Sequence, residues 1–308
     1  MTAPAPDRRV GALLVHYRAP RLVASVVESL AAAGIPAVVA DNSGELRGAP
    51  FSVVDCGGNV GFGAGCNRAA EALGPGIDTI CLHNPDVVPD PAAVVRLAGH
   101  LGPGRAAVAP AVRTDGLVRT RGFHVPGVAR EAWVARRATR PAPRAGEAPR
   151  DRAVGGRGRR FGTAALLVVD RGAFAAVGGF DERYFLYGED LDLWVRLQRA
   201  GAAPGFAPDV VVEHRAKSGS EMDAGTRELL RRLGVELFAE LHRRTGWRPL
   251  RAVHRLAGPP GADPDLVALV EEQWRSGAAP SAVLGAVRAH LAVATGRPPI
   301  PEVSPNGR

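Results

Sequence analysis

Cysteine and lysine are both scarce in this chain of 308 residues. The three cysteines, Cys56, Cys66 and Cys81, are odd in number and form no Cys-x-x-Cys pair. This pattern argues against a disulfide framework and against a zinc site, and predicts three reduced thiols. Lys217 is the only lysine, so the net charge of +8 comes almost entirely from arginine. The length and a hydrophobic content of 46% predict a soluble globular protein with a sizeable core.

Long apolar runs are absent as well. No run approaches the ~18 residues that a helix needs to cross a bilayer. Residues 1–9 are polar and proline-rich and lack the apolar centre of a signal peptide. These two absences predict a cytoplasmic protein.

The positive charge is concentrated in residues 102–160. This segment holds 14 arginines against four carboxylates, so the rest of the chain is slightly acidic. It is also rich in proline and glycine and has little periodicity, and we therefore predict a basic, partly mobile insertion. Clustered arginine binds phosphate and anionic lipid well, which suggests a phosphate-bearing ligand or an anionic membrane surface as the partner of this segment. A solvated loop of biased composition is the alternative.

Short hydrophobic runs alternate with helical patterns on either side of this segment. Strands are predicted at 10–15, 37–40, 51–54, 77–82, 106–109, 163–169 and 210–212, and helices at 21–33, 64–73, 91–101, 171–177 and 189–200. The alternation predicts an α/β fold with a doubly wound, mostly parallel sheet over residues 1–220. Further helices at 226–244, 263–275 and 281–294 predict a C-terminal helical region over 221–295, followed by a disordered tail, 296–308.

Polar residues follow several of these strands. Ligands of doubly wound sheets bind beyond the carboxyl ends of the strands, and Asp41 and Asp86 are both predicted at that edge. An aspartate there suits a hard divalent cation, which also accepts water and phosphate as ligands. For Asp86 the plainer alternative is a capping role before the helix that begins at Pro91. His214 follows the last strand, and imidazole is a common metal ligand, although a lone histidine is more often structural.

Three carboxylates, Glu189, Asp190 and Asp192, cluster at the start of a predicted helix. Acidic residues in a first turn complement the helix dipole. A carboxylate among other carboxylates also has a reason for a raised pKa, which suits a general base. From the residues alone, both explanations stand.

A glycine-rich stretch, residues 59–68 (Asn-Val-Gly-Phe-Gly-Ala-Gly-Cys-Asn-Arg), leads into a predicted helix. Glycines let a ligand approach the backbone, and a helix N-terminus favours anions. Cys66 stands where a G-x-G-x-x-G motif has its third glycine, and no Gly-Lys-Ser/Thr follows. The stretch therefore fits neither a dinucleotide-binding motif nor a P-loop.

The order of these motifs resembles the inverting family 2 glycosyltransferases, and among them the bacterial rhamnosyltransferases most closely. The motifs are Val-Val-Ala-Asp-Asn-Ser (38–43), Asn-Val-Gly-Phe-Gly (59–63), Asn-Pro-Asp (84–86), Gly-Gly-Phe-Asp-Glu (178–182) and Phe-Leu-Tyr-Gly-Glu-Asp-Leu-Asp-Leu (185–193). Each motif is modest alone, but their order and spacing are specific and span roughly residues 10–220.

The resemblance implies a GT-A fold and transfer of a sugar from a nucleoside-diphosphate sugar to an acceptor hydroxyl with inversion. It implies Asp190 as the general base, supported by Glu189, and a Mg2+ or Mn2+ ion bound by Asp86 and His214. Donor contacts are implied for Asp41, Asn59, Gly61, Gly63, Asn67 and Asn84. Asn84 stands in place of the first aspartate of the family's Asp-x-Asp motif.

The partners that the resemblance implies are a dTDP-, UDP- or GDP-sugar and an acceptor glycan, glycolipid or small molecule. Rhamnose is the favoured sugar, and the implied setting is cell-wall, polysaccharide or glycolipid assembly, with peripheral contact at the inner face of the plasma membrane. A nucleic-acid-binding protein is one alternative, but the arginine-rich segment lacks the interleaved aromatics of a stacking platform, and we expect no nucleic acid. A sugar nucleotidyltransferase is the other, and the Gly-Glu-Asp-Leu-Asp cluster argues against it.

Overall fold

The computed structural model describes residues 8–119, 123–124, 160–215, 222–243, 246–256 and 261–294. Its strands are β1 (Val10–His16), β2 (Ala37–Asp41), β3 (Ser52–Asp55), β4 (Thr79–His83), β5 (Ala107–Thr114), β6 (Leu117–Arg119), β7 (Phe123–His124), β8 (Arg160–Phe161), β9 (Leu166–Asp170) and β10 (Pro204–Glu213). Its helices are α1 (Pro20–Ala32), α2 (Phe62–Ala72), α3 (Pro91–Gly99), α4 (Arg171–Ala176), α5 (Glu189–Arg199), α6 (Ala224–His242), α7 (Arg248–Leu256), α8 (Pro264–Arg275) and α9 (Pro280–Ala294).

The main sheet has the strand order β10-β5-β9-β4-β1-β2-β3, and β6 pairs with β5. The pairs β1/β2, β1/β4, β2/β3 and β5/β10 are parallel, whereas β9 lies antiparallel between β4 and β5. All strands in the row except β9 therefore run in one direction, and their carboxyl ends share one edge. This arrangement confirms the predicted α/β class and its mostly parallel sheet.

Helices cover both faces of the sheet because its central strands are apolar on both faces. Successive side chains of a strand point to opposite faces, so Leu14 of β1 packs in one apolar cluster with Leu30 of α1 and Leu97 of α3. Its neighbour Leu13 packs in a second cluster with Ala69 of α2 and residues of α4 and α5. Burial on both faces is typical of doubly wound α/β sheets.

The C-terminal helices form a third apolar cluster that includes the segment just before α5. Tyr184 and Phe185 are buried in it together with Leu233 of α6, Trp274 of α8 and Leu284 of α9. The helical region is therefore packed against the chain that leads into the predicted catalytic helix. No helix in the described part of the chain is both long and apolar enough to cross a membrane.

The structure differs from the sequence expectations in several places, including the unpredicted short strands β7 and β8 and the earlier start of β10. The antiparallel direction of β9 was not predicted, and neither was α7. Strands β5 and β6 lie inside residues 102–160, so the ordered sheet extends well into the segment expected to be an insertion. Most of the rest of that segment, and the tail 296–308, lie outside the described residues.

Candidate functional site

The chain after β4 meets the chain after β10 at the carboxyl edge of the sheet. Val87 and His214 form an isolated antiparallel bridge. The N–H of Val88 donates to the carbonyl of Glu213 at 2.8 Å, and that of Arg215 to the carbonyl of Asp86 at 2.9 Å. This short pairing places the side chains of Asp86 and His214 side by side, with 3.3 Å between His214 Nε2 and Asp86 Oδ2.

Asp86 and His214 fit two ligands of one divalent cation. Asp90, not Asp86, caps α3 by accepting from the N–H of Ala93, which removes the capping alternative for Asp86. The Oδ1 atoms of Asp86 and Asn84 are buried and have no hydrogen-bond partner. Two ligand atoms about 2 Å from an ion and at right angles to each other lie about 3 Å apart, close to the observed separation. The hydrogen bond to Asp86 raises the pKa of His214.

The described residues contain no group of three or more His, Cys, Asp or Glu side chains spaced for a metal ion. A cation held by Asp86 and His214 would therefore need water and phosphate oxygens to complete its coordination. Mg2+ and Mn2+ sites in nucleotide enzymes are commonly built in this way, with few protein ligands.

A cavity of about 240 Å³ opens beside this pair. It lies at the carboxyl ends of β1, β2 and β4 and is lined by Val15, Tyr17, Ala19, Leu22, Asn42, Asn59, Gly61, Phe62, Asn84, Pro85, Asp86, Phe185, Leu186, Tyr187 and Met222. Four residues with implied site roles, Asn59, Gly61, Asn84 and Asp86, are thus brought together. Tyr17 and Asn42 were not among the predicted site residues, although each lies within two residues of the end of a predicted strand.

Asn42 connects the end of β2 to the glycine-rich stretch. Its Nδ2 donates to Asn59 Oδ1 at 3.2 Å and to the carbonyl of Gly61 at 3.1 Å. Gly61 has a φ of 89°, and a Cβ on it would collide with the carbonyl oxygen of Phe185. That same carbonyl accepts from the N–H of Phe62 at 3.0 Å, so only glycine allows the two walls of the cavity to approach this closely.

Asp41 is 1% exposed and is not among the cavity-lining residues. Its Oδ1 accepts from the N–H groups of Ser43 and Gly44, and its Oδ2 accepts from the N–H of Leu46. These hydrogen bonds fix the backbone of the loop after β2. A direct contact between Asp41 and the donor nucleoside stays a prediction.

Gly63 and Asn67 also lie outside the cavity lining. A Cβ on Gly63 would press against Phe180. The side chain of Asn67 donates to the carbonyl of Phe180 and to Glu182, both at 3.0 Å, and accepts from the N–H of Phe180 at 2.9 Å. Both residues therefore hold the 178–182 turn against α2, and their donor contacts stay predictions.

Asp190 lies at the same edge of the sheet as the Asp86–His214 pair. Its carboxylate accepts from the N–H of Leu191 at 2.8 Å and from that of Ala164 at 3.4 Å. The next residue, Ala165, accepts from the N–H of Asn84 through its carbonyl at 2.9 Å. The first turn of α5 is thus connected through residues 164–165 to the end of β4.

Burial changes the pKa of both carboxyl groups in this turn, Glu189 and Asp190. Burial, and secondly the charge of Asp190, raise the pKa of Glu189 to about 8. Burial also raises the pKa of Asp190, but the N–H groups of Leu191 and Ala164 oppose that rise. With a pKa of about 8, Glu189 holds its proton near neutral pH and places no second negative charge beside Asp190.

We expect Glu189→Gln to gain stability relative to the wild type as the pH rises. The folded wild type holds a proton that the unfolded chain releases, since the pKa of Glu189 is raised from 4.5 to about 8. As the pH rises from 4.5 to about 8, the free energy of unfolding of the wild type should therefore fall. Glu189 contributes at most about 1.4 kcal/mol per pH unit to this fall. Glutamine has no such proton to lose.

Thermal unfolding at pH 5.5, 7 and 8.5 measures this difference. Glu71→Gln, on the exposed side of α2, is the matched control because its carboxyl is solvated. An identical pH dependence of Tm in the wild type and in Glu189→Gln would contradict the buried, protonated state of Glu189.

No protein-family model matches the chain. It is 29% identical over 248 residues to the N-acetylglucosaminyl-diphospho-decaprenol L-rhamnosyltransferase of Mycobacterium tuberculosis, in strains CDC 1551 and H37Rv alike. The alignment covers 70% of this chain and 78% of the relative.

Among solved structures, a mannosyltransferase from Pyrobaculum calidifontis in complex with GDP-Man and Mn2+ superposes with a TM-score of 0.50. The sequence identity is 14%, and the alignment covers 94% of this chain and 89% of that one, which shows a shared fold. The sequence similarity and the shared fold together show that this chain is a rhamnosyltransferase-like glycosyltransferase of the GT-A fold.

Proposed function

We propose that the protein is a metal-dependent, inverting transferase that moves rhamnose from a nucleoside-diphosphate donor to the hydroxyl of a lipid-linked acceptor. The observation that carries the proposal is the 3.3 Å contact between His214 and Asp86, the latter a residue that lines the cavity. Asp190 at the same sheet edge adds the carboxylate that such a transfer needs. The relative from M. tuberculosis supports rhamnose as the sugar.

The diphosphate of the donor would lie against Asp86 and His214. A divalent ion bound there would stabilise the negative charge that develops on the leaving diphosphate. Asn84 presents its unpartnered Oδ1 beside the same position. Asn42, Asn59 and Gly61, which are hydrogen-bonded to one another, line the same cavity and would form a polar surface for the donor.

Asp190 acts as the base. The acceptor oxygen attacks the anomeric carbon from the face opposite the diphosphate, its proton moves to the Asp190 carboxylate, and the bond from the carbon to the diphosphate oxygen breaks. A single displacement of this kind inverts the anomeric configuration. Glu189 stays protonated in this scheme, so it places no second negative charge beside the attacking oxygen.

The acceptor side of the cavity is apolar. Phe185, Leu186, Tyr187 and Met222 form this wall, and none of them carries a charge. The relative from M. tuberculosis acts on an acceptor linked through a diphosphate to decaprenol. We infer a related lipid-linked acceptor here, with the protein at the inner membrane surface; the arginines of residues 125–159, which would contact its phosphates, lie outside the described residues.

A donor panel tests the proposed function directly. Purified protein is incubated with UDP-, dTDP- and GDP-sugars, dTDP-rhamnose included, and with N-acetylglucosaminyl-diphospho-polyprenol in Mg2+ or Mn2+. We expect rhamnosyl transfer that is lost in excess EDTA, and a product whose anomeric configuration, read by NMR, is opposite to that of the donor. Retention of configuration, full activity in EDTA, or transfer of a different sugar only would each contradict the part of the proposal that it concerns.

A further inference from the structure

Asp192 lies two residues after the proposed base and is 1% exposed. Its Oδ1 accepts from His242 Nε2 at 2.6 Å, and its Oδ2 accepts from Arg196 Nε at 2.6 Å. Both carboxylate oxygens thus accept short hydrogen bonds, and Asp192 connects α5 to the end of α6. Arg196 connects α5 to the 177–179 turn as well, because its Nη1 donates to the carbonyls of Val177 and Gly179 at 2.7 Å each.

His242 is the last residue of α6 and belongs to the C-terminal helical region. Its Nδ1 lies 2.7 Å from Arg199 Nη1. Because a guanidinium group has only donors, Nδ1 is the accepting nitrogen and Nε2 carries the hydrogen that Asp192 receives. The ring of Phe238 packs 4.8 Å from the imidazole, so the imidazole is held by partners on three sides.

Helix α6 contacts the start of α5 at a second point. Tyr187 and Gly188 have φ values of 70° and 100° and form the turn that leads into Glu189. The carbonyl of Tyr187 lies so close to Gly234 of α6 that a Cβ on this glycine would collide with it. Gly234 and His242 are about 12 Å apart along α6. Helix α6 therefore holds both the turn before α5 and the first turn of α5 itself.

We propose that His242 is a positioning residue for Asp190 and acts through Asp192. The inference rests on the proposed function, in which Asp190 is the base. Outside its own helix, the Asp190 carboxylate is contacted by the N–H of Ala164 at 3.4 Å, a long hydrogen bond, and by the side chain of Thr163. The placement of α5, set by His242 and Asp192, therefore decides where the base lies.

Substitution of His242 tests this role. Loss of the imidazole in His242→Ala frees α5 to shift, and a misplacement of about 1 Å costs on the order of 10²-fold in rate. We expect kcat to fall about 10- to 100-fold while the donor KM and the donor Kd, measured by calorimetry in Mn2+, stay within about twofold. His242→Gln, whose amide N–H can replace Nε2–H, should recover most of the lost kcat.

His100→Ala is the matched control. His100 also forms a histidine–aspartate pair, with Asp209 at 3.2 Å, but lies outside the candidate site. We expect this variant to keep the wild-type kcat.

His242→Ala leaves the buried carboxylate of Asp192 without one of its two partners, which is destabilising. Arg199→Met is therefore a second test variant, because it leaves both hydrogen bonds of Asp192 in place. Loss of the donor to Nδ1 should lower its kcat severalfold.

The outcomes separate this inference from the proposed function. A folded His242→Ala protein with wild-type kcat, or one in which the donor KM rises as much as kcat falls, would overturn the positioning role. If His242→Ala does not fold, an unchanged kcat of Arg199→Met overturns it. Wild-type turnover by Asp190→Asn would instead overturn the proposed base itself.

Discussion

Asp190→Asn is expected to retain donor binding and to lose turnover. An amide cannot take the proton of the acceptor hydroxyl, and general-base catalysis contributes about 10²–10⁴-fold, so kcat should fall by that factor. The change is isosteric, and Asn Oδ1 can still accept the shorter hydrogen bond from the N–H of Leu191, whereas the long one from Ala164 is lost. Single-turnover transfer and calorimetric donor affinity, measured on the same preparation, separate the two properties.

Asp209→Asn is the matched control for Asp190→Asn. Asp209 is a largely exposed aspartate of β10 that pairs with His100 outside the candidate site, so its amide should leave kcat unchanged. Near-wild-type transfer by Asp190→Asn would remove Asp190 from the role of base. A large loss of donor affinity would instead indicate that the carboxylate, or the fold around it, contributes to the donor site.

The second large effect is expected from Asp86→Ala. Removal of this carboxylate takes away one of the two protein ligands that we propose for the cation, and it leaves His214 without its 3.3 Å partner. Loss of a ligand should weaken metal-dependent donor binding and sugar transfer, each by about 10- to 100-fold. Titration of donor into protein with and without Mn2+ measures the metal-dependent part of the affinity.

Asp209→Ala makes the same chemical change at an exposed position and should bind donor as the wild type does. Unchanged donor affinity of Asp86→Ala in Mn2+ would count against Asp86 as a ligand. In the absence of metal, the wild type and Asp86→Ala should bind donor with similarly low affinity. A large difference between them under that condition would mean that Asp86 contacts the donor directly.

The local elements of this fold could be predicted with few errors. Val10–His16 and Thr79–His83 are short runs that are buried on both faces, and the charged first turn and apolar stripe of Glu189–Arg199 are typical of an amphipathic helix. These signals lie between residues that are neighbours in sequence. The direction of β9 was not predictable in this way, because a buried apolar strand has the same pattern whichever way it runs.

The partners of each site residue required the three-dimensional structure. Asp41 belongs to a family motif and Asn67 to the glycine-rich stretch, yet in the structure Asp41 holds the loop after β2 and Asn67 of α2 binds the 178–182 turn. His242 carried no sequence signal, since it lies outside the motifs at the end of a helix whose role was open. Its contact with Asp192 exists because α6 packs beside α5, which depends on the apolar cluster shared by the C-terminal helices and residues 184–185.

The amino-acid sequence alone determined the alternation of strands and helices, the chemical groups available and the family that their order resembles. These properties follow from local periodicity and from the identity of the side chains. Tertiary structure decided which groups meet. The strand order places two strands, β5 and β9, between β10 and β4, and the pairing of the extensions of β10 and β4 brings His214 to Asp86. That contact joins residues remote in the chain, and only the packing of the whole sheet creates it.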